Sequence, residues 1–469
     1  MSRWARLRSH RSLTMKIAEI AFGFLICVVA DSACADQQIP TGVTAVSSDT
    51  FLNSLGVNTH VDQRYNPGSY VLPLRYLGVR NIRDSERNLS GHLMLHEQTG
   101  VRVDLVGANV IGLTAAARTL ARAGALLSIE GPNEPNNFPI IYKGQPGGGA
   151  DLNRLSGWLL RWFPDWLLGW LPGRLSWLPV AELQRDLYSA VKNDPELSRY
   201  PVFHVSEGGA ETDNVGLQFL TVPAGAGTLL PDGAQFADYA NAHNYVSGVR
   251  IGYVDNQAWQ AADPTLNGDW DGLYGLYGRT WKRHFRGYSN AQLQTLPRVT
   301  TETGWDAAGP EQERTQGIVL VNTYLAQFKR GWSYTFIYQL GEGEGGGGNQ
   351  GLFQENWTPK LAATYIHNLT SILADNVTVA NPGRLEYSIA NTPATVHDLL
   401  LQKSSGVFEL VVWGEQVTGS NNVTVNLGRS YANVRIYDTT VGTTPILILT
   451  DVSSVPLVIS DHALILEIQ

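Results

Sequence analysis

The sequence is short of cysteine and of charge, and each shortage removes a class of function. Its two cysteines, Cys27 and Cys34, both fall within the first 35 residues, a segment that reads as a leader. A chain without that leader has no thiol. Disulfides, cysteine–metal sites and a thiol nucleophile are then excluded, and stability rests on the core. Charged residues make up 16% of the chain, and the net charge is −8. With that acidic balance, the basic face that a nucleic-acid partner needs is not expected. The chain also lacks HExxH, an EF-hand loop, a GK[ST] phosphate loop and G-x-S-x-G. No metal, no cofactor and no serine nucleophile are expected.

What is present suffices for a large core. Hydrophobic residues are 43% of 469, enough for one barrel-sized domain and a smaller one, and too many for global disorder. At the N-terminus Arg3, Arg6, Arg8, Arg11 and Lys16 precede an apolar run from Ile17 to Ala30 and then Ala33-Cys34-Ala35. This is the pattern of a cleavable signal peptide over residues 1–35, so a secreted or periplasmic protein is expected. The apolar run is short for a spanning helix.

From about residue 50 to 375, short apolar strands alternate with helical stretches, which implies a parallel sheet with crossover helices. The strand candidates are Leu55–His60, Val79–Asp84, Val101–Gly107, Ala125–Ile129, Val202–Ser206, Tyr239–Asn244, Val299–Thr303 and Ser333–Gln339. That number closes a (β/α)₈ TIM barrel. Helices are expected over Leu113–Ala123, Ala181–Lys192 and Glu311–Lys329. After Leu373 the texture changes to short alternating or β-branched runs between turn residues, the pattern of a small antiparallel β-sandwich packed on the barrel. The expected organisation is therefore a catalytic barrel over 36–380 and a β-sandwich over 381–469.

Two segments stand apart. Residues 157–179 carry Trp158, Trp162, Trp166, Trp170 and Trp177, interrupted by Pro164 and Pro172. They read as a hydrophobic insertion on the barrel, with a membrane-surface or partner contact, or a stacking platform for sugars, as alternatives. Gly341–Gly351, with Glu342 and Glu344, follows the last strand and reads as a mobile loop over the barrel mouth.

Barrel enzymes place their chemistry at the C-terminal ends of the strands. There the fourth strand runs out through Glu130, Asn133, Glu134 and Pro135, and the seventh through Glu302 to Trp305. Each delivers a carboxylate to the mouth. Glycoside cleavage needs two: one protonates the departing oxygen, and the other attacks the anomeric carbon or activates water. The acid should be protonated at the start, with its pKa lifted by burial and by the charge of its partner. Glu130 is a competing acid four residues before Glu134. Asn58 and His60 close the first strand, Arg83 the second, and His204 and Glu207 the fifth; all are candidates for pocket lining. Arg83 could brace the nucleophile or form a structural ion pair, and Trp305 could stack on sugar or simply pack.

Asn133-Glu134-Pro135 at the end of a fourth strand, with Thr301-Glu302-Thr303-Gly304-Trp305 at the end of a seventh, resembles the clan A retaining (β/α)₈ glycoside hydrolases. That clan includes cellulases, mannanases, β-xylosidases and heparanase-like enzymes. The resemblance spans the barrel. It implies Glu134 as acid/base, Glu302 as nucleophile and Asn133 as a contact to the substrate 2-hydroxyl. It also implies that His243 and Tyr245, in Ala242-His243-Asn244-Tyr245, orient the nucleophile, with Tyr245 hydrogen-bonded to Glu302. Residues Asn133–Phe138 are similar to the heparanase-like pattern and the seventh strand to cellulase- and xylosidase-like families, so no single family is assigned. Strand eight commonly ends in an aromatic platform, usually Trp; here it ends in Tyr338-Gln339. The reading is a retaining glycoside hydrolase acting on a β-linked poly- or oligosaccharide. A non-catalytic carbohydrate-binding barrel and a transglycosylase using the same two acids are its rivals.

Overall fold

The computed structural model describes residues 42–63, 65–149, 176–206, 213–247, 257–258, 281, 284–307, 309–345, 348–390, 392–416 and 418–469. Its central sheet holds the eight expected strands: β1 Leu55–Asn58, β2 Asn81–Ser85, β3 Arg102–Val106, β4 Leu126–Glu130, β5 Val202–Phe203, β6 Ala240–Asn241, β7 Arg298–Thr303 and β8 Trp332–Ile337. They pair in the order β6-β7-β8-β1-β2-β3-β4-β5. The ring closes between β5 and β6 through the parallel Phe203–Tyr239 bridge, where His204 N donates to Tyr239 O at 3.0 Å. The fifth and sixth strands are shorter than the sequence suggests. Past Phe203 and Asn241 the chain leaves the ladder, and Ser206, His243 and Asn244 bond to neighbouring segments instead.

The helices begin and end where local chemistry directs. In α1 (Pro67–Leu77), Asn66 accepts from Gly68 N at 3.0 Å, Pro67 opens the first turn, and Gly78 closes the helix at φ 68°. Helix α2 covers Leu89–Thr99. In α3 (Val110–Arg122), Leu113, Ala116, Ala117 and Leu120 recur at helical spacing and are all buried. Helix α4 (Leu178–Lys192) starts three residues before the expected Ala181 because Pro179 is tolerated in a first turn. Helices α5 (Asn290–Thr295), α6 (Pro310–Lys329) and α7 (Leu361–Ile372) follow among the described residues. Residues 1–41, with the expected signal peptide, and residues 150–175, with most of the tryptophan-rich stretch 157–179, lie outside the described residues. Trp177 and Pro179, at its end, are buried. No helix among the described residues is long and apolar enough to cross a membrane.

The C-terminal part is a two-sheet sandwich. One sheet joins β9 (Tyr387–Ala390), β12 (Asn421–Tyr431) and β15 (Val452–Ile459). The other joins β10 (Val396–Gln402), β11 (Phe408–Gly414), β16 (Ala463–Ile468), β13 (Val434–Asp438) and β14 (Leu447–Leu449). Val46–Ser47, just before the barrel, adds a parallel edge strand to this second sheet. The second sheet is apolar on both faces. Leu400, Leu410, Val412 and Leu466 fill the sandwich core, whereas Leu401, Val411, Trp413 and Ile465 join the barrel's own core. That explains the apolar runs Leu410–Trp413 in β11 and Ala463–Leu466 in β16. Polar contacts fix the docking: Asn322 of α6 donates to Gly414 O at 3.0 Å, and Asn368 of α7 to Thr439 O at 2.8 Å.

Arg314 of α6 pairs with Asp461 at 2.7 Å, and His462 lies 2.9 Å from Asp461 and 3.2 Å from Asp438. Burial opposes protonation of His462, but its bonds to the two aspartates outweigh burial and push its pKa from 6.5 to about 9. A histidine raised on folding contributes stability that is complete below its ordinary pKa and is lost as pH rises through the folded value. The melting temperature is therefore expected to fall between pH 6.5 and 9. His462→Gln should flatten part of that fall; a variant with an unchanged pH slope would contradict this.

Candidate active site

Glu302 sits near the end of β7, where the register with β8 slips between Thr300 and Thr303. The irregularity lets consecutive residues face the same cleft. Thr301 reaches Asn241, His243 and Glu130, while Glu302 reaches Arg83 and Tyr245. Arg83 Nη1 donates to Glu302 Oε1 at 2.7 Å, and Tyr245 Oη donates to Oε2 at 2.8 Å. Burial and then the Glu302 charge push the Tyr245 phenol well above its usual value, so it remains a donor.

Arg83 is held from below. Its Nε and Nη2 form a two-pronged pair with Glu130 at 2.7 and 2.9 Å, and Nη2 also donates to Asn133 Oδ1 at 2.8 Å. Glu130 is fully buried and takes further bonds from Asn241 and Thr301. Burial would raise its pKa, but the Arg83 charge brings it below the ordinary value. Glu130 is therefore the anchor of Arg83, which removes it as a competing general acid. Asp104 next to it is pushed far up, first by burial and then by the Glu130 charge.

Glu134 faces Glu302 from β4. Its backbone has φ 37°, a left-handed conformation that costs energy in a residue other than glycine. The surroundings hold it there: Glu134 N donates to Ser206 Oγ at 3.1 Å, and its carbonyl accepts from Asn137 N and Phe138 N, both at 2.8 Å. The carboxylate accepts from Asn137 Nδ2 at 2.7 Å and lies 2.7 Å from His243 Nδ1, which is also 3.4 Å from Glu302 Oε2.

The protons do not lie where the sequence reading put them. A raised Glu134 was expected. Burial acts in that direction, but the hydrogen bond and charge of His243, the Asn137 amide and Arg83 bring Glu134 down to about 2. Burial lowers His243, yet the Glu302 charge and the bond to Glu134 leave it raised. Both directions favour His243 over Glu134 as the holder of the shared proton.

The other expected residues fall as follows. Asn58 is buried, donates to Thr301 O at 3.2 Å, and lines a cleft with His60, Asp62, Arg83, Asn133 and Glu302. His60 is 2.7 Å from Gln339 Oε1. Tyr338 meets the rings of His60 and Tyr245 edge-on, at 5.5 and 6.3 Å, and so stands as the aromatic at the end of β8. Trp305 packs against the barrel core. His204 is buried among Phe236 and Phe285, and burial pushes it down to about 4. Glu207 lies outside the described residues. The glycine-rich segment is pinned in its described part: Tyr70 Oη donates to Glu344 Oε1 at 2.8 Å, Gln339 Nε2 to Glu344 O at 2.7 Å, and Lys360 pairs with Glu342 at 3.0 Å. Sequence reasoning missed Asn137, Ser206, Asn241 and Thr301. Only Asn137, three residues after Glu134, carries a local signal.

One oxygen from each of Glu134 and Glu302 and one ring nitrogen of His243 lie within 4.8 Å of one another, so these groups could hold a metal ion. A cation there would have to displace the His243 proton.

No protein-family model matches the chain, and no curated protein matches its sequence. Solved structures do resemble it. One is a family 51 arabinofuranosidase from Xanthomonas axonopodis pv. citri, at 12% identity, TM-score 0.52, covering 92% of this chain and 98% of that one. Another is a family 39 glycoside hydrolase from Bacteroides cellulosilyticus WH2, at 13% identity, TM-score 0.51, covering 90% and 82%. A third is a 4-O-α-L-rhamnosyl-β-D-glucuronidase from Fusarium oxysporum 12S, at 13% identity, TM-score 0.50, covering 91% and 99%. At these identities the likeness shows the fold alone, a (β/α)₈ barrel.

Removing Arg83 would leave Glu130 and Glu302 buried without their cation. Arg83→Met is expected to lower unfolding stability by about 3–5 kcal/mol, read by urea denaturation, and Arg83→Met with Glu130→Met by less. A single variant within about 1 kcal/mol of the parent, the size of a surface pair, would contradict the assignment.

Proposed function

We propose that this chain is a retaining glycoside hydrolase that cleaves β-linked bonds of a poly- or oligosaccharide by double displacement. The opposed carboxylates support this most directly: their nearest oxygens fall within 4.8 Å. Double displacement wants the two groups about 5–5.5 Å apart, whereas inversion wants about 6.5–9.5 Å to admit a water. Glu302, aimed by Arg83 and Tyr245, attacks the anomeric carbon as the bond to the leaving oxygen breaks and Glu134 protonates that oxygen. Water then gives a proton to Glu134 and its hydroxyl to the anomeric carbon, releasing Glu302. Residues 36–380 would supply the chemistry, residues 381–469 a docked support, and the leader an exported location.

The proton on His243 fits into this cycle. Its raised pKa depends first on the negative charge of Glu302. That charge disappears as Glu302 bonds to the sugar. His243 then holds its proton less tightly and passes it to Glu134, 2.7 Å away, when the leaving oxygen needs it. Hydrolysis restores the Glu302 charge, and His243 is recharged.

The 2.7 Å contact with His243, which holds Glu134 below the ordinary carboxylate range, favours a second reading, a barrel that binds carbohydrate without cleaving it. Turnover separates the two. A transglycosylase would use the same intermediate with a sugar in place of water.

Glu302→Ala is expected to abolish turnover of aryl β-glycosides, and Glu134→Ala to lower kcat by about 10²–10⁴-fold on substrates with poor leaving groups. Proton NMR of the first product should show the β-anomer; the inverted anomer, or near-normal rates in either variant, would end the proposal. The alkaline limb of kcat/KM should lie above pH 6.5, the ordinary value of His243. In His243→Asn it should move toward the carboxylate range, because Glu134 must then store its own proton. Identical alkaline limbs would remove His243 from proton delivery.

A further inference from the structure

The loop after β8 and the chain leading into α1 enclose a second cavity of about 290 Å³, with Tyr65, Glu342, Glu344, Gln354 and Trp357 in its walls. That is close to the roughly 300 Å³ at which ligand pockets begin. Glu344 is only 3% exposed. Its Oε1 accepts from Tyr70 Oη at 2.8 Å, whereas its buried Oε2 has no hydrogen-bond partner. A side chain at Gly341, which also lines the cavity, would stand 3.1 Å from both Glu344 Oε2 and Trp357 Cη2. The orphan oxygen and the indole therefore face one space that glycine leaves open. Glu342 repeats the pattern: Lys360 pairs with its Oε2 at 3.0 Å, and its Oε1 is unpartnered. A buried acceptor without a donor costs free energy that a ligand's donor would recover. Trp357 has φ 67°, fixed by its N–H donating to Gln354 O at 2.8 Å. Backbone strain of this kind collects at ligand clamps.

The cavity adjoins the cleft. Gln339 Nε2 donates to Glu344 O at 2.7 Å, and Gln339 Oε1 lies 2.7 Å from His60 Nε2. His60 in turn lines the cleft with Glu302. A side chain at Gly345 would meet the His60 ring at 2.5 Å, so the loop passes directly over that imidazole. The two spaces thus share a wall of His60, Gln339 and the Glu344–Gly345 peptide. In the eight-stranded ring β8 stands opposite β4, which carries Glu134. The group that protonates the departing oxygen stands on the leaving-group side. The cavity beside β8 is therefore on the other side, that of the sugar bonded to Glu302. Among the described residues, three ligand atoms lie within 4.8 Å of one another only at Glu134, His243 and Glu302, so the carboxylates of the cavity do not converge on a metal ion. Unpartnered acceptors beside aromatic rings suit a sugar instead, which has hydroxyls to donate and C–H faces to lay on the rings. We propose that this cavity is a second sugar subsite, in which Glu344 and the rings of Tyr65 and Trp357 bind the unit preceding the one attacked by Glu302. The proposal rests on the hydrolase reading and narrows its substrate to chains with at least two sugar units on the side of the cleaved bond that Glu302 retains.

The test compares 4-nitrophenol release by the full chain from 4-nitrophenyl β-glycosides of one and of two sugar units, paired in the gluco, xylo, manno and galacto series. In the series that is cleaved, a hydrogen bond to a carboxylate and a stacked ring should raise kcat/KM on the order of 10–100-fold for two units over one. Glu344→Gln with Tyr65→Ala should bring that ratio below about threefold, with the fall confined to the two-unit substrate. Glutamine keeps an acceptor for Tyr70, and Tyr65 is exposed. If the double variant does not fold, Tyr65→Ala alone should lower the ratio at least about twofold. A ratio near one in active enzyme overturns the proposal and leaves the hydrolase standing. Equal falls on both substrates would make Glu344 and Tyr65 supports of the cleft alone, and overturn it too. If no series is cleaved, the hydrolase reading falls and takes the second subsite with it.

Discussion

A guanidinium inside the barrel organises the rest of this molecule. Arg83 leaves β2 and meets Glu130 from β4, Glu302 from β7 and Asn133 just past β4. Side chains from these strands can meet only if they point inward across the ring, so the closure of the barrel and the making of the site are one event. Arginine suits the position because its planar fork can serve one carboxylate with two donors while a third reaches another. Lysine would offer a point charge without that geometry. The buried carboxylate Glu130, which has no part in the proposed chemistry, aims Arg83, and Arg83 aims Glu302.

The charges near the mouth are interdependent. Glu130, Glu302 and Glu134 are met by Arg83 and His243, with the Asp104 pKa pushed up by burial and by its neighbour Glu130. Changing the charge of any member moves the protons of the others, as coupled titrations do. An acid held ionised at rest looks unsuited to its task until His243 is counted with it. In the proposed cycle the pair shares one proton, and the charge of Glu302 decides its place. The strained backbone of Glu134 belongs to the same arrangement, since Ser206, Asn137 and Phe138 fix it in position before any substrate arrives.

The fold was largely readable because its signals are local and periodic. Alternating strands and amphipathic helices marked the barrel, and the run Phe408–Trp413 marked a strand that proved to be buried on both faces. The carboxylates at 134 and 302 were legible because strand ends in a barrel converge on one mouth. What escaped was set by contacts between distant residues. The register slip at Thr300–Thr303, which brings Thr301 and Glu302 to the same cleft, leaves no trace in composition. Nor do the roles of Ser206 and Asn241, which are ordinary polar residues until the ring closes. The direction of the Glu134 shift was misjudged because the reading counted Glu302 and burial but not an imidazole 2.7 Å away. Strands β5 and β6 were drawn too long because period-two patterns continue past the point where the backbone turns aside to build the site.

The central claim is that Glu302 becomes covalently bonded to sugar. Incubation with a 2-deoxy-2-fluoro β-glycoside carrying a good leaving group, followed by peptide mass spectrometry, tests it directly. The account predicts a glycosyl adduct on the peptide containing Glu302, formed as activity is lost and discharged when an acceptor sugar is added. Inactivation with the label on another residue, or turnover that never passes through an adduct, would contradict it.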